Sequence, residues 1–296
     1  MSLKSARSAL LLTVGVATAA ALTACGDTGN DSGKPQVVVS TNVWADIASA
    51  VAGPDAEVSA IISDPAADPH SHETSAAESA QISDADLVVY NGGHYDEFMA
   101  KAIEGRGQRA VEAVATRDST IANDTNEHVW YDMETVALVA EEIGTALGEL
   151  DPEHAQGYTD RAAEFTGRLD AVTTLTDRTA GAHPGTPVLQ TEPLAYYLLQ
   201  DAGTVDRTPG DYQEAIEQET DPAPAAVAAT RDLINGRQIE VLIYNVQTED
   251  KVSQDLRAAA DAAGIPVVEV TETLPPGLDF VAWQTRNAEA LADAIG

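Results

Sequence analysis

Short apolar runs alternate with Ala-rich amphipathic stretches along most of the chain. The runs are rich in β-branched residues, which favours strands. They occupy residues 36–42, 58–62 and 86–91 in the first half of the chain, and residues 186–192, 239–245 and 265–272 in the second half. Continuous apolar strands that alternate with helices are typical of parallel sheets covered on both faces. The pattern therefore predicts an α/β fold of two lobes, each with a parallel β-sheet flanked by helices.

A helical pattern over residues 151–182 separates the two sets of strands. It opens with Asp151 and Pro152, a helix cap followed by a first-turn proline. Its apolar side chains recur every three or four residues, as on one face of a helix, at Tyr158, Ala162, Phe165, Leu169, Val172 and Leu175. A coiled-coil seam is the alternative for this stripe, but the stripe has few heptads. We expect one long linking helix between an N-terminal lobe at 36–150 and a C-terminal lobe at 183–296.

The start of the chain predicts export and a lipid anchor. A positively charged start precedes an uncharged, mostly apolar run at residues 9–22, which is short for a membrane span and typical of a secretory signal. The run ends in Leu-Thr-Ala-Cys, which resembles a bacterial lipobox. Residues 1–24 are therefore expected to be a signal peptide, and Cys25, the only cysteine, to carry the lipid. A buried thiol is the alternative for Cys25. Small polar residues at 25–35 predict a flexible tether to the extracytoplasmic face of the cell membrane.

The charge of the chain excludes one class of partner. With 48 acidic and 16 basic residues, the formal net charge is −32, and loss of the signal would make it more negative. Such a chain repels a phosphate backbone, so nucleic acid is not expected as a partner. An acidic surface attracts cations, but it also arises for solubility, so it supports a cation ligand only weakly.

Polar side chains with metal-binding chemistry lie near the predicted strand ends. Ligands of open parallel sheets bind beyond the carboxyl ends of the strands. His70 follows the second strand, His128 precedes an amphipathic helix, and Glu192, Asn245 and Glu272 end the strands of the second half. Neutral imidazole and carboxylate suit zinc, manganese or iron, and two carboxylates neutralise one dication. A divalent metal site between the lobes is the prediction. A solvated polar turn is the alternative for His70.

The remaining histidines are weaker candidates. The chain has six histidines. His72 and His94 lie near the expected site, and the sequence leaves open whether either joins it. His154 and His183 are expected to be solvated, and Trp130 is expected to pack beneath the site.

Four segments resemble the bacterial solute-binding lipoproteins that serve zinc and manganese ABC importers. They are Asp68-Pro69-His70 with Glu73, residues 127–132 (EHVWYD), Thr191-Glu192 with Tyr197 and Gly203, and residues 271–273 (TET). The resemblance covers essentially the whole mature chain. It implies two α/β lobes joined by a long helix, and it implies His70, His128, Glu192 and Glu272 as the four metal ligands.

The sequence departs from this family at two places, which leaves the ion open between Zn²⁺ and Mn²⁺. Glu272 stands where the family commonly has aspartate, and residues 115–127 contain none of the histidines found there in some zinc members. Two imidazoles and two carboxylates resemble the manganese members, whereas intrinsic affinity at such a site favours zinc. We lean slightly to zinc.

The resemblance implies a function in transport. We expect a monomeric, lipid-anchored substrate-binding protein that captures a divalent transition metal ion and delivers it to an ABC transporter permease. A binding protein for an iron-chelate or other small cargo is the main alternative, and an adhesin is a third. A zinc hydrolase, with Glu73 or Asp132 as base, is not expected because no HExxH-like spacing or nucleophile elbow is present.

Overall fold

The structure is a computed structural model that describes residues 33–67, 69–117, 126–218 and 220–296. The predicted signal peptide, Cys25, most of the tether and Asp68 lie outside the described residues. Within these ranges, no helix is both long enough and apolar enough to cross a membrane.

The first half of the chain forms a four-stranded parallel sheet in the order β2-β1-β3-β4. Its strands are β1 (Gln36–Thr41), β2 (Glu57–Ile62), β3 (Leu87–Tyr90) and β4 (Arg109–Glu112). Its helices are α1 (Asn42–Ala52), α2 (Ala76–Asp84), α3 (Glu97–Ile103), α4 (Ala113–Thr116) and α5 (Met133–Leu150). The central strands are apolar on both faces because helices cover both, and every residue of β3 is buried.

The second half repeats this topology in the order β6-β5-β7-β8. Its strands are β5 (Pro187–Gln190), β6 (Val205–Asp206), β7 (Val241–Asn245) and β8 (Val267–Val270). Its helices are α7 (Tyr196–Asp201), α8 (Gly210–Glu217), α9 (Pro224–Asn235), α10 (Lys251–Ala263) and α11 (Phe280–Ile295). Two parallel sheets flanked by helices confirm the predicted fold class. The short edge strands β4 and β6 were not predicted, because neither has a continuous apolar run.

The long helix α6 (Ala155–Ala182) has 28 residues. At about 1.5 Å per residue it is about 40 Å long, comparable to the width of a domain. It begins at Ala155 rather than at Pro152 as predicted. The reason is that Asp151 ends α5, and its carboxylate binds the His154 ring and the Tyr158 hydroxyl instead of capping a first turn at Pro152. The lobe boundaries drawn from the sequence stay predictions.

A single apolar cluster joins α6 to both sheets. It contains the predicted stripe of α6 from Tyr158 to Val172 together with buried residues of both lobes. The ring of Phe280 in α11 lies 6.1 Å from that of Phe165 in α6. Asn42 of α1 exchanges two hydrogen bonds of 3.0 Å with the backbone of Leu274. Separating the lobes would expose this shared core, so the packing resists a wide hinge motion.

Candidate metal centre

Four imidazole and carboxylate side chains converge between the lobes. One candidate ligand atom from each residue lies within 4.8 Å of those of the other three, at His70, His128, Glu192 and Glu272. Three of these residues are buried and His70 is half-buried. These are the four side chains that the sequence analysis named, and the fold brings all of them together. Their role as metal ligands stays a prediction.

The order of the strands explains why the two carboxylates meet. Strands β5, β7 and β8 are neighbours and run parallel, so their carboxyl ends lie side by side. Glu192 and Glu272 each follow their strand by two residues, and Asn245 is the last residue of β7 between them. Both carboxylates face the same imidazole, with His128 Nε2 4.0 Å from Glu192 Oε1 and 4.0 Å from Glu272 Oε2.

His70 is carried by the loop that follows β2. The amide of Gln247, from the other lobe, donates hydrogen bonds of 3.1 Å and 3.3 Å to the carbonyls of Pro65 and Ala67 in this loop. The ring of His70 packs edge-on against Tyr95, with the centroids 4.9 Å apart. These contacts orient the His70 loop toward the carboxylates.

Asn126 orients the ring of His128. Its Oδ1 accepts a hydrogen bond of 2.9 Å from the backbone N–H of His128 and lies 3.1 Å from ring atom Nδ1. Because an amide oxygen only accepts, Nδ1 carries the proton and Nε2 presents its lone pair to the carboxylates. Nε2 is buried and has no hydrogen-bond partner in the described part of the chain. The other end of the Asn126 amide donates to the carbonyl of Pro193, beside Glu192, at 2.8 Å.

The ring of His128 is kept neutral by its surroundings. Trp130 packs edge-on against it, with the centroids 5.2 Å apart, so Trp130 lies beneath the site. Burial lowers the pKa of His128 to about 4, although the charge of Glu192 acts in the opposite direction. A neutral imidazole is the form that binds a metal ion.

The carboxylate of Glu192 is kept ionised. Its burial alone would raise the pKa, but hydrogen bonds from Thr248 and Asn245 stabilise the charged form, and the pKa lies below its ordinary value. Asn245 Nδ2 donates to Glu192 Oε2 at 2.7 Å and to Glu272 Oε1 at 2.9 Å. Imidazole nitrogens and carboxylate oxygens together form a donor set suited to a divalent transition metal ion.

The group opens into a cavity of about 870 Å³. Among its lining residues are His94, Glu127, Glu217 and Asp250. Because His94 and Asp250 are exposed, the cavity connects the site with solvent.

The other histidines and the two candidate bases lie outside this group. His72 lies 3.7 Å from Glu78 and packs against Phe98, whereas the His94 side chain is 92% exposed beside Glu97. Asp132 caps the start of α5, and Glu73 is exposed. His154 binds Asp151, and His183 follows the end of α6.

Three supporting residues were not identified from the sequence. Asn126, Gln247 and Thr248 hold the candidate ligands through hydrogen bonds. Gln247 and Thr248 follow the end of β7, a position that could have drawn attention to them. Nothing in the pattern around Asn126 distinguishes it from a loop residue.

Comparison with known proteins gives consistent matches over this architecture. A family model described as "ZnuA: Zinc-uptake complex component A periplasmic" matches residues 37–294. Iron-binding protein YfeA of Yersinia pestis is 26% identical over 89% of this chain and 87% of its own length. Zinc-binding protein TroA of Treponema pallidum is 28% identical over 51% of each chain, so this alignment spans about half of that relative. Manganese-binding lipoprotein MntA of Bacillus subtilis is 27% identical over 49% of this chain and 51% of its own length.

Solved structures have the same fold. The periplasmic zinc-binding protein TroA of Treponema pallidum superposes with a TM-score of 0.76 at 20% identity, covering 89% of this chain and 100% of that one. The substrate-binding protein FpvC of Pseudomonas aeruginosa in complex with Mn²⁺ gives 0.73 at 20% identity, covering 88% and 98%. At this identity the likeness establishes the fold.

Proposed function

This chain belongs to the ZnuA family of periplasmic zinc-uptake complex components, and we propose on that basis that it is the substrate-binding protein of a metal ABC importer. It captures a divalent transition metal ion, zinc or manganese, between its two lobes and delivers the ion to an ABC transporter permease. The observation that carries this proposal is the convergence of four candidate ligand atoms, all within 4.8 Å of one another.

His70, His128, Glu192 and Glu272 are the proposed ligands. Each lobe supplies two of them, so the ion joins the lobes at their rims. Two carboxylates balance the charge of a dication, which offsets the cost of burying them. The relatives named as zinc-, manganese- and iron-binding proteins support a transition metal as cargo.

Release requires a difference between the loaded and empty proteins that the permease can recognise. The shared core and the paired hydrogen bonds between Asn42 and Leu274 oppose a wide opening of the lobes. We propose that the change is a small tilt or a movement of the loops that carry the ligands.

The proposed location is the extracytoplasmic face of the cell membrane, with a lipid on Cys25 and the protein acting as a monomer. Relatives named as lipoproteins, such as MntA of Bacillus subtilis, support this anchor.

The two alternatives have less support. The described lining of the cavity contains no Arg or Lys and has Tyr212 as its one Phe, Tyr or Trp residue, which is a poor match for an organic iron-chelate. A hydrolase would need a general base beside the ion. Of the two candidates, Asp132 is occupied by capping α5 and by Arg117, 3.3 Å away, and Glu73 is exposed.

The test is a metal titration of the purified, metal-stripped protein. Zn²⁺ and Mn²⁺ are titrated in competition with a chromophoric chelator, for the wild type and for His70→Ala and His128→Ala. We expect tight binding to be lost in both variants, and His183→Ala, which alters a histidine outside the group, to bind like the wild type. Sub-micromolar binding in either ligand variant would refute the ligand assignment.

A further inference from the structure

One side chain of the C-terminal lobe contacts two of the segments that carry candidate ligands. The amide of Gln247 binds the segment at residues 63–67, which precedes His70, and the backbone at Glu272. We infer that Gln247 is a positioning residue that keeps the His70 side of the site closed and so sets the rate at which a bound ion leaves. The inference rests on the proposed function and adds to it the residue that controls release.

The hydrogen bonds of the Gln247 amide fix its orientation. Oε1 accepts from the backbone N–H groups of Glu272 and Thr273, the second at 3.3 Å. Nε2 donates to the carbonyls of Pro65 and Ala67 at 3.1 Å and 3.3 Å, and it lies 2.9 Å from the Thr273 hydroxyl. Because an N–H group only donates and a carbonyl only accepts, a flipped amide would lose both sets of bonds. The donor end of Gln247 therefore faces these two carbonyls.

The segment that Gln247 binds lies at the surface. Besides the bonds from Gln247, its Pro65 carbonyl accepts a bond of 2.8 Å from the Thr273 hydroxyl. All of these bonds are only partly buried, and Asp64 and Ala66 are exposed. Because water replaces hydrogen bonds at the surface, the segment can separate from the C-terminal lobe without disturbing the apolar core.

His128, the other candidate imidazole, is held to the C-terminal lobe by buried contacts. Asn126, which orients its ring, donates to the Pro193 carbonyl at 2.8 Å, and its own backbone carbonyl accepts a bond of 2.6 Å from the Tyr197 hydroxyl. The guanidinium of Arg117 lies over the Tyr197 ring and donates to the same hydroxyl at 2.7 Å. Asn126 is 8% exposed and Tyr197 is 3% exposed. Opening the site on this side would leave buried polar groups without partners, which costs more than opening it at the surface.

The contrast between the two sides predicts the order of release. An ion held by several side chains leaves after one of them detaches, and His70 detaches at the lower cost. The bonds from Gln247 form in the closed state and are broken in the open one, so they lower the population of the open state from which the ion escapes. Losing them should raise the dissociation rate and leave the association rate nearly unchanged, because capture starts from the open state. Two neutral hydrogen bonds of typical strength correspond to about a tenfold change in that population.

Two variants separate the two ends of the amide. Gln247→Met keeps the length of the side chain and removes both the donor and the acceptor. Gln247→Glu keeps an acceptor for the N–H groups of Glu272 and Thr273, but its carboxylate cannot donate to the two carbonyls. The added negative charge attracts a cation and would by itself slow release, so faster release in this variant reports the lost donor. Gln254→Met is the matched control, because it changes an exposed glutamine of α10 in the same lobe.

The first measurement is the stopped-flow release of Zn²⁺ from the loaded protein into an excess of a chromophoric chelator. The association rate is measured by mixing the metal-stripped protein with Zn²⁺ and following tryptophan fluorescence. We expect both Gln247 variants to release Zn²⁺ about tenfold faster than the wild type, with association rates within about threefold of it. Gln254→Met should match the wild type in both rates. A side chain that only shaped the ligands would instead slow association when removed.

The second measurement needs no bound ion. A spin label is attached to Ala66→Cys of the metal-free protein in a Cys25→Ser background, and its mobility is measured by electron paramagnetic resonance. We expect the mobile fraction of this label to rise in Gln247→Met, and a label at Thr145→Cys, at an exposed position of α5, to be unchanged. Equal mobility at residue 66 with and without the Gln247 amide would overturn the inference.

Three kinetic results would also overturn it while leaving the proposed function intact. They are a wild-type release rate in Gln247→Met, a loss of affinity that arises from slower association, and faster release in Gln247→Met but not in Gln247→Glu, which would place the effect at Glu272. A wild-type protein that binds neither Zn²⁺ nor Mn²⁺ would instead refute the proposed function, and the spin labels would still decide whether Gln247 holds the segment at residues 63–67.

Discussion

Lowering the pH of the metal-free protein from 7 to 5 should weaken its fold through His128. In the native state this imidazole is buried with a pKa of about 4, against 6.5 for an ordinary histidine. The folded state therefore disfavours the proton, and the unfolded chain takes it up as the pH falls below about 6.5. Stability from this group is present above that pH and is lost as the pH falls toward 4.

The size of the effect follows from the two pKa values. Each unit of difference corresponds to about 1.4 kcal/mol, and integration between pH 7 and pH 5 gives a loss of about 2 kcal/mol in the free energy of unfolding. The pKa of Glu192 is also shifted, but downward from 4.5, so its contribution is lost at lower pH. Burial raises the pKa of Asp96 and of Asp201 to about 6, so both carboxyls titrate in the same range, and only the comparison with a variant that lacks His128 isolates the imidazole.

The assay is urea unfolding in the presence of a chelator, followed by the fluorescence of the three buried tryptophans, Trp44, Trp130 and Trp283. His128→Gln removes the titrating group. Between pH 7 and pH 5 the wild type should lose about 2 kcal/mol more than this variant, since all other titratable groups are shared. His183→Gln should keep the pH dependence of the wild type. Parallel curves for the wild type and His128→Gln would show that the imidazole is not held in a buried, neutral state.

Three further measurements test the packing and the support of the site. Phe280→Ala should lower the free energy of unfolding by about 3–5 kcal/mol, because it empties part of the shared core. Leu138→Ala, at a residue that is 37% exposed, should lower it by less than about 1 kcal/mol. Equal losses in the two variants would contradict the shared core. Asn126→Ala should weaken metal binding by about 10–100-fold in chelator competition, because the tautomer of His128 is no longer fixed. Unchanged affinity would contradict this role of Asn126. Gly203→Ala should destabilise the protein by about 1 kcal/mol or more, because φ is +65° and a Cβ atom would lie 3.0 Å from that of Ala180. Gly167→Ala, on the exposed side of α6, should instead raise thermal stability by about 0.5–1 kcal/mol, and the same sign for both glycine variants would contradict the backbone argument.

The sequence predicted those parts of the fold in which the apolar pattern is continuous. The apolar strands of both sheets and the stripe on α6 were readable because burial imposes a regular spacing. Strand β6, with two residues, is too short for any pattern, and β4 carries charged residues at both ends. The start of α6 was misplaced because Asp151 and Pro152 have the chemistry of a helix start, and only the three-dimensional contacts of the Asp151 carboxylate reveal a turn.

The meeting of the two candidate carboxylates was predictable for a different reason. Glu192 and Glu272 follow apolar strands, and the topology of parallel sheets gathers such positions at one edge. The supporting roles of Asn126 and Thr248 could not be predicted from the sequence, because they depend on hydrogen bonds that only the three-dimensional structure shows. An amide that binds across the lobes to Pro193 leaves no periodic signal in a single chain.

The contacts of α11 determine when the N-terminal lobe can complete its folding. Phe280 donates its backbone N–H to Asp46 of α1, and the ring of Trp283 lies 5.6 Å from that of Tyr131. During synthesis the N-terminal lobe emerges long before these partners exist, so its apolar surface stays uncovered until the last helix arrives. Contacts between residues so distant in sequence slow folding. A truncation that removes α11 should therefore unfold the beginning of the protein as well as its end.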